Sequence, residues 1–127
     1  MSEVLRMASW QEVVALFPKE RDAIRNAEGW ADRYDIEPTH FPGCRVTLEA
    51  WTHDEIDAAM DAMSAIEPRM SVDMADGVNN ATLPPRIDGL PLVMVKLRNW
   101  IGMIDGKHRA NKWRHIPGKY AVLVVHA

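Results

Sequence analysis

The stretch LPLVMVKLRNWIGMIDGKHR, residues 90–109, carries the strongest structural signal in this chain of 127 residues. Leu90–Leu97 is rich in apolar residues, which predicts a strand. Arg98-Asn99 predicts a tight turn, and Trp100–Ile104 predicts the returning strand. Asp105-Gly106 breaks that strand, so the pattern indicates a hairpin that leads directly into another element.

The residues after this hairpin predict a short helix and a closing strand. Lys107–Ile116 has the spacing of a helix with three inward residues, which are Ala110, Trp113 and Ile116. Tyr120–Val125 is an apolar run that predicts the last strand.

A strand and a helix are also predicted upstream of the hairpin. Cys44–Trp51 alternates between apolar and polar residues, which is typical of a half-buried strand. Thr52 and Glu55 have the spacing of a capping box that opens a helix. Its apolar positions recur at helical intervals and are Ile56, Ala59, Met60 and Met63.

The N-terminal segment is predicted to be helical. Ser9 and Glu12 repeat the capping-box spacing, and Pro18 ends that helix and begins a second one, Pro18–Glu28. Asp35–Gly43 and Pro68–Asp88 are predicted loops, and a short helix inside the second is an alternative. We therefore expect an α+β fold, with a helical extension over residues 1–43 and one compact unit over residues 44–127.

Composition limits the classes of protein to consider. The chain is 47% hydrophobic and 26% charged, which excludes a mainly disordered chain, and no apolar run approaches the roughly 20 residues of a membrane span. Residues 1–8 lack the apolar core of a signal peptide. The single cysteine, Cys44, excludes an internal disulfide and a multi-cysteine zinc site, so a cytoplasmic location is expected. Since no apolar run is long enough for a membrane span, no membrane partner is expected either.

Charge is divided unevenly along the chain. Residues 1–95 hold 17 acidic and 8 basic residues, a net charge of −9. Residues 96–127 hold 1 acidic and 7 basic residues, a net charge of +6. This division indicates an anionic ligand for the C-terminal part and is compatible with a protein partner for the acidic part. The alternative is that the two parts attract each other within one fold.

The predicted strand-to-helix junction has the chemistry of a phosphate site. Free amides and the positive end of a helix point outward there, and Gly106 allows a phosphate to approach the backbone closely. Lys107, His108 and Arg109 add donors, and Asp105 is a candidate ligand for a divalent metal. The alternative is a solvated basic first turn.

This segment resembles the ParB/sulfiredoxin superfamily, whose members place a Gly-x-x-Arg or Gly-x-His-Arg motif at such a junction. The matching residues are Gly106, His108 and Arg109, and the surrounding order of strands and helices extends the resemblance over residues 44–127. It implies a ParB/sulfiredoxin-like mixed sheet with packed helices and a site for nucleotide or nucleic-acid phosphates.

Departures from the family pattern narrow that function. Sulfiredoxins have a cysteine directly after the motif glycine, where this chain has Lys107, so redox repair is not expected. ParB partition proteins often have alanine at the position of Lys112, and they continue into a helix-turn-helix domain, whereas this sequence stops at Ala127. Relatives with the Asp-Gly-x-x-Arg form include small-molecule kinases.

Other candidate residues are less specific. Glu49 is the candidate general base of a phosphotransferase, with an exposed strand-face carboxylate as the alternative. The predicted helix that begins after Thr52 carries a row of carboxylates, which indicates either a metal site or, more simply, a solvated acidic face. The row comprises Asp54, Asp57 and Asp61. His40 and His53 lack a partner at metal-ligand spacing. Cys44 is expected in the core, and Trp100 and Trp113 either stack a base or fill the core.

Three functional hypotheses follow. The first is a stand-alone ParB-like module that binds a nucleotide or the DNA backbone through four basic residues, with Arg114 at their edge. These four are Lys107, His108, Arg109 and Lys112. The second is a small phosphotransferase or nucleotidase that uses a nucleoside triphosphate with Mg²⁺, Asp105 near the metal and Glu49 as base. The third is a non-enzymatic interaction protein of a phage, plasmid or other mobile element, acting on a host partner. A homodimer is compatible with each.

Overall fold

The computed structural model describes residues 2–17, 43–66, 90–97 and 100–127, and within them it is an α+β structure of five strands and three helices, as expected. The elements in chain order are β1 (Glu3–Ala8), α1 (Trp10–Val14), β2 (Arg45–Thr52), α2 (His53–Ile66), β3 (Leu92–Leu97), β4 (Trp100–Asp105), α3 (Lys107–Trp113) and β5 (Lys119–His126).

The five strands form one mixed sheet in the order β1-β2-β5-β3-β4. Pairing between β3 and β5 is parallel, and the other three pairings are antiparallel. The most apolar predicted strand, β5, therefore lies in the middle, and its residues Tyr120–Val125 are all buried. A strand covered on both faces needs this continuous apolar run.

The predicted hairpin of residues 90–105 is confirmed in its strands. Leu97 pairs with Trp100 and Val93 with Asp105, with one irregularity in register between Val93 and Met94. The strand begins at Leu92 rather than Leu90, because the carbonyl oxygens of Leu90 and Pro91 accept hydrogen bonds from the Arg109 side chain. The turn Arg98-Asn99 lies outside the described residues.

The N-terminal strand β1 was not predicted, because the segment was expected to be helical. The side chains of Glu3–Met7 are exposed, so the sequence EVLRMA lacks the contrast between buried and solvent-facing positions that marks a strand. Pairing with β2 holds it in place, with a register shift between Val4 and Arg6. The first described residues thus belong to the same sheet as β2, while the division at residue 43 stays a prediction.

The two predicted capping boxes are confirmed. The Ser9 amide donates to the Glu12 carboxylate at 3.1 Å. Thr52 and Glu55 bond reciprocally, with the Glu55 amide 3.3 Å from Thr52 Oγ1 and the Thr52 amide 3.2 Å from Glu55 Oε1. These contacts satisfy amides that the first turn of a helix leaves unpaired.

The predicted apolar stripe of α2 is buried, and it joins the core with side chains from β3 and β5. Helix α3 ends at Trp113, three residues before the predicted end. The Tyr120 hydroxyl lies 2.8 Å from the Trp113 carbonyl oxygen and also contacts the Ile116 carbonyl oxygen. A turn follows the last helical residue, in which the Ile116 amide donates to the Trp113 carbonyl oxygen at 2.9 Å.

Three further expectations fall on residues that the structure does not describe. The second helix, Pro18–Glu28, and the long loop, Pro68–Asp88, lie outside the described residues entirely, as does nearly all of the loop Asp35–Gly43. Within the described ranges, no helix combines the length and the apolar character needed to cross a membrane.

Candidate functional site

The predicted strand-to-helix junction is present. Strand β4 ends at Asp105, Gly106 is the N-cap, and α3 begins at Lys107. The first helical bond runs from the Ala110 amide to the Gly106 carbonyl oxygen at 2.9 Å. Gly106 has no side chain that could cap the amides of Lys107, His108 and Arg109, which follow it. This end of the helix therefore keeps its positive character.

The junction requires glycine at position 106. Gly106 has a φ of 101°, in the left-handed region that residues with a Cβ rarely adopt. A Cβ there would lie 2.7 Å from Leu92 Cδ2 and 3.0 Å from Arg109 Nη2. The glycine therefore permits both the backbone turn and the close packing of β3 and Arg109 around it.

Arg109, predicted as a phosphate ligand, points into the protein and is 5% exposed. Its Nη1 donates to the Leu90 carbonyl oxygen at 2.7 Å and its Nη2 to the Pro91 carbonyl oxygen at 3.2 Å. Asp105 lies 3.6 Å from Nη2. Burial lowers the pKa of Arg109 from its usual value, and the Asp105 carboxylate opposes this. In this geometry the guanidinium fastens α3 to the segment that precedes β3.

Aromatic packing extends this contact inward. The Arg109 guanidinium lies 5.5 Å from the centre of the Trp113 ring, within the range of a cation–π interaction. Trp113 stacks on Tyr120 with ring centres 5.2 Å apart. Trp113 is 3% exposed, so its predicted place in the core is confirmed and base stacking by it is not supported. The side chain of Trp100 is not described, and its role stays a prediction.

A pocket of about 200 Å³ lies at the junction and is lined by six consecutive residues, Ile104–Arg109. It brings together four of the five predicted phosphate-binding residues, and Lys112 lies outside the lining, exposed on α3. Among the described residues, His108 Nδ1 is a buried atom that has no hydrogen-bond partner. Buried polar atoms are nearly always paired, so this nitrogen is an unsatisfied group on a side chain that lines the pocket.

Asp105 is half-exposed at the rim of the junction. In the described parts of the chain, no three His, Cys, Asp or Glu side chains come together as a metal site. A metal at Asp105 stays a prediction and would need ligands from a bound molecule, since Mg²⁺ commonly takes few carboxylates together with substrate phosphates.

The acidic face of α2 has a structural partner. Arg114 Nε lies 2.6 Å from Asp57 Oδ1, and Nη2 also contacts Asp61. Partial burial opposes the charged form of Arg114, but the bonds to Asp57 and Asp61 raise its pKa above the usual value. Arg114, expected at the edge of the phosphate site, instead joins α3 to α2. Asp54 is exposed beside His53, 3.3 Å away.

Glu49, the predicted general base, is 6% exposed, so the alternative of an exposed strand-face carboxylate is wrong. Thr47 Oγ1 donates to Glu49 Oε2 at 2.5 Å and Trp51 Nε1 donates to Oε1 at 3.0 Å. Burial opposes ionisation, but hydrogen bonds from Thr47, Ser2 and Trp51, together with His126 nearby, lower the pKa of Glu49 below its usual value. A depressed pKa keeps this carboxylate ionised.

The structure does not bring Glu49 to the junction. Glu49 is on β2 and Asp105 is on β4, with β5 and β3 between them. Neighbouring strands lie about 4.8 Å apart, which puts these two strands roughly 14 Å apart. A phosphotransferase that uses Asp105 and Glu49 together is therefore not supported by this arrangement.

Sequence reasoning missed the cluster around Glu49. The alternation of β2 placed Thr47 and Glu49 on one face, but nothing in the sequence indicated that His126 of β5 would join them. His126 Nε2 lies 2.8 Å from Thr47 Oγ1 and 3.7 Å from Glu49 Oε2. Cys44 is half-buried at the start of β2 and packs against the core, and burial raises the pKa of its thiol. His40 lies outside the described residues.

Comparisons with protein-family models, with curated proteins and with solved structures found no match for this chain. The resemblance to the ParB/sulfiredoxin superfamily therefore stays a prediction that rests on the junction motif and the order of elements.

Proposed function

We propose that this chain binds a phosphate group, of a nucleotide or of a nucleic-acid backbone, in the pocket at the β4–α3 junction. The observation that carries the proposal is the buried His108 Nδ1, which has no hydrogen-bond partner among the described residues and belongs to a side chain that lines the pocket. A ligand oxygen, or a water held by the ligand, would supply the missing partner.

The surrounding groups favour an anion over a neutral ligand. Lys107 lines the pocket, and the first amides of α3 carry the positive end of the helix. Lys112 adds a charge one turn further along. Arg109 acts in this proposal as a positioning residue, because its guanidinium is bonded to the Leu90 and Pro91 carbonyl oxygens.

The proposal is one of binding in the cytoplasm, without turnover. The Glu49 carboxylate belongs to a different strand and is held by three donors there, so the pocket lacks that base. Mg²⁺ brought by a nucleoside triphosphate would be placed at Asp105, which has the ligand type that this ion prefers.

A thermal-shift screen against ATP, GTP, CTP and UTP, with and without Mg²⁺, tests the nucleotide form of the proposal. A ligand that binds the folded state raises the melting temperature, by an amount that grows with the logarithm of its concentration relative to Kd. Fluorescence anisotropy with a labelled DNA oligonucleotide tests the other form, in which affinity falls steeply between about 50 mM and 200 mM salt.

Charge-removing variants identify the site. Lys107→Gln should weaken binding about tenfold, the equivalent of one charged contact of about 1.4 kcal/mol. Lys119→Gln is the matched control, because it removes the same charge from an exposed position on β5 and should leave binding unchanged. The proposal is overturned if no nucleotide shifts the melting temperature and no oligonucleotide binds at low salt, or if both variants weaken binding equally.

A further inference from the structure

A row of three basic side chains, two of them permanently charged, crosses the sheet at the end of β3 that lies away from the junction. Arg45 of β2 pairs directly with His126 of β5, and His126 pairs directly with Lys96 of β3. Directly paired residues of neighbouring strands point to the same face. Arg45, His126 and Lys96 therefore form a continuous cationic row, about 10 Å long across three strands.

This cationic row is accessible to a ligand. Arg45 and Lys96 are exposed, and the His126 side chain is 20% exposed. Neither Arg45 nor Lys96 forms an ion pair with another described residue. Arg45 and Lys96 are two uncompensated positive charges on one face of the sheet, and a protonated His126 between them would add a third directly opposite each, so an anion bound there would offset their repulsion.

Glu49 lies on the same face of β2 as Arg45, four residues further along the strand, and its charge is directed to His126 rather than to Arg45 or Lys96. Thr47 Oγ1 and Trp51 Nε1 donate to the two oxygens. Glu49 Oε2 lies 3.7 Å from His126 Nε2 and so offsets charge at His126, while Arg45 and Lys96 have no ion-pair partner among the described residues.

The hydrogen bonds also fix which nitrogen of His126 carries a proton. A threonine hydroxyl has a single hydrogen, and Thr47 gives it to the ionised Glu49 carboxylate. The contact of 2.8 Å between Thr47 Oγ1 and His126 Nε2 must then be donated by the imidazole. His126 therefore holds its proton on Nε2 when neutral, which leaves Nδ1 as the nitrogen that can gain a proton on binding an anion.

We propose that the cationic row of Arg45, His126 and Lys96 binds a single phosphate group, as inorganic phosphate or the phosphate of a nucleoside monophosphate. Arg45 and Lys96 supply permanent charge, and His126 supplies a donor once Nδ1 is protonated. The row is long enough for one tetrahedral oxyanion and too short for several phosphates of a nucleic-acid backbone. This site is separate from the junction pocket, since Lys96 and Leu92 are about 13 Å apart along β3.

Protonation of His126 should strengthen binding at the cationic row as the pH falls through the titration range of His126, below the usual value of 6.5. Burial lowers the pKa of His126, Arg45 and Lys96 lower it further, and Glu49 opposes them. A phosphate in contact with the imidazole adds a negative charge and raises that pKa. Proton uptake and phosphate binding are therefore linked and favour each other.

An NMR titration of the histidine side chains tests the proposal with inorganic phosphate and with AMP as probes. We expect saturable shifts of the His126 resonances and a higher His126 pKa in the presence of either probe. Comparable binding of both identifies the phosphate group itself as the ligand, and a much stronger effect of AMP identifies the nucleotide as its source.

Matched variants separate this site from the junction pocket. The double variant Arg45→Gln/Lys96→Gln should weaken the His126 response at least tenfold, and Lys119→Gln and Lys107→Gln should leave it within twofold. The proposal is overturned if the His126 shifts follow sodium chloride at equal ionic strength, if the double variant responds like the wild type, or if an oligonucleotide binds the row far more tightly than either probe.

Discussion

The junction at one end of β3 and the cationic row at the other each contain an arginine, and the two arginines are used in opposite ways. Arg109 at the junction is 5% exposed and bonded to two carbonyl oxygens, whereas Arg45 in the cationic row is exposed and has no ion-pair partner among the described residues. A buried guanidinium must satisfy its donors within the protein. The difference teaches that the residue most typical of phosphate recognition serves the fold at one end of the strand and is available to a ligand at the other.

Replacing each arginine by alanine should expose this difference most strongly. Arg109→Ala removes both donors from the Leu90 and Pro91 carbonyl oxygens and should lower the free energy of unfolding by about 3 kcal/mol. Arg45→Ala should change it by less than about 0.5 kcal/mol, as expected for an exposed position. Urea unfolding followed by tryptophan fluorescence measures both, and equal losses in the two variants would contradict the assignment.

A substitution at the N-cap tests the junction without removing a charge. Gly106→Ala places a Cβ against Leu92 and Arg109 at a positive φ, and should cost about 2 kcal/mol of unfolding free energy. Gly43→Ala is the control, since a Cβ there meets nothing within 4 Å. Thermal or urea unfolding gives both values, and a Gly106→Ala protein as stable as the control would rule out the close packing described.

Acid unfolding probes the buried Glu49 carboxylate, which lies beside His126 of the cationic row. The lowered pKa of Glu49 means that the unfolded chain binds its proton more readily, so the stabilisation is complete above about pH 4.5 and is lost as the pH falls through the lower folded value. Glu49→Gln should reduce stability at neutral pH by about 1 kcal/mol and flatten the decline below pH 4.5.

The exposed Glu3 on β1 supplies the comparison for that experiment. Glu3→Gln removes a carboxylate whose closest recorded partner, Lys119 Nζ, is 4.0 Å away, and should leave the acid limb of the stability curve unchanged. If the free energy of unfolding falls equally steeply below pH 4.5 in the wild type and in Glu49→Gln, then Glu49 does not contribute to acid unfolding.

The smallest expected effect concerns the titration of His126. Arg45→Gln removes one of the charges that lower the pKa of His126, so the pKa should rise while the stability stays within about 0.5 kcal/mol of the wild type. NMR titration of the imidazole measures the shift. Lys119→Gln, at the far end of β5, should leave the pKa where it is, and an equal rise in both variants would contradict the proximity of Arg45.

The parts of the fold that could be predicted are those set by neighbours in sequence. The two capping boxes and the break at Asp105-Gly106 depend on residues within four positions of one another, and the apolar stripe of α2 depends on a helical period. The same holds for the central strand, because Tyr120–Val125 is apolar throughout. Strand β1 was missed because it is held by pairing with β2 rather than by an alternating pattern.

The candidate sites could be predicted only in part, for the same reason. The junction motif marked Gly106, His108 and the basic residues around them, but the inward direction of Arg109 depends on carbonyl oxygens that precede β3. The cationic row depends on the register of three strands, β2, β5 and β3, which are far apart in sequence. No local pattern carries that information.

The position of β5 has a consequence for the order of events during synthesis. This strand leaves the ribosome after the other four, yet it joins the β1–β2 pair to the β3–β4 pair. Until residues 119–126 emerge, β2 and β3 each present an unpaired edge, which is the kind of edge that promotes association between nascent chains. The sheet is therefore closed by its middle strand, so a stalled or truncated chain that lacks β5 would hold two separate strand pairs.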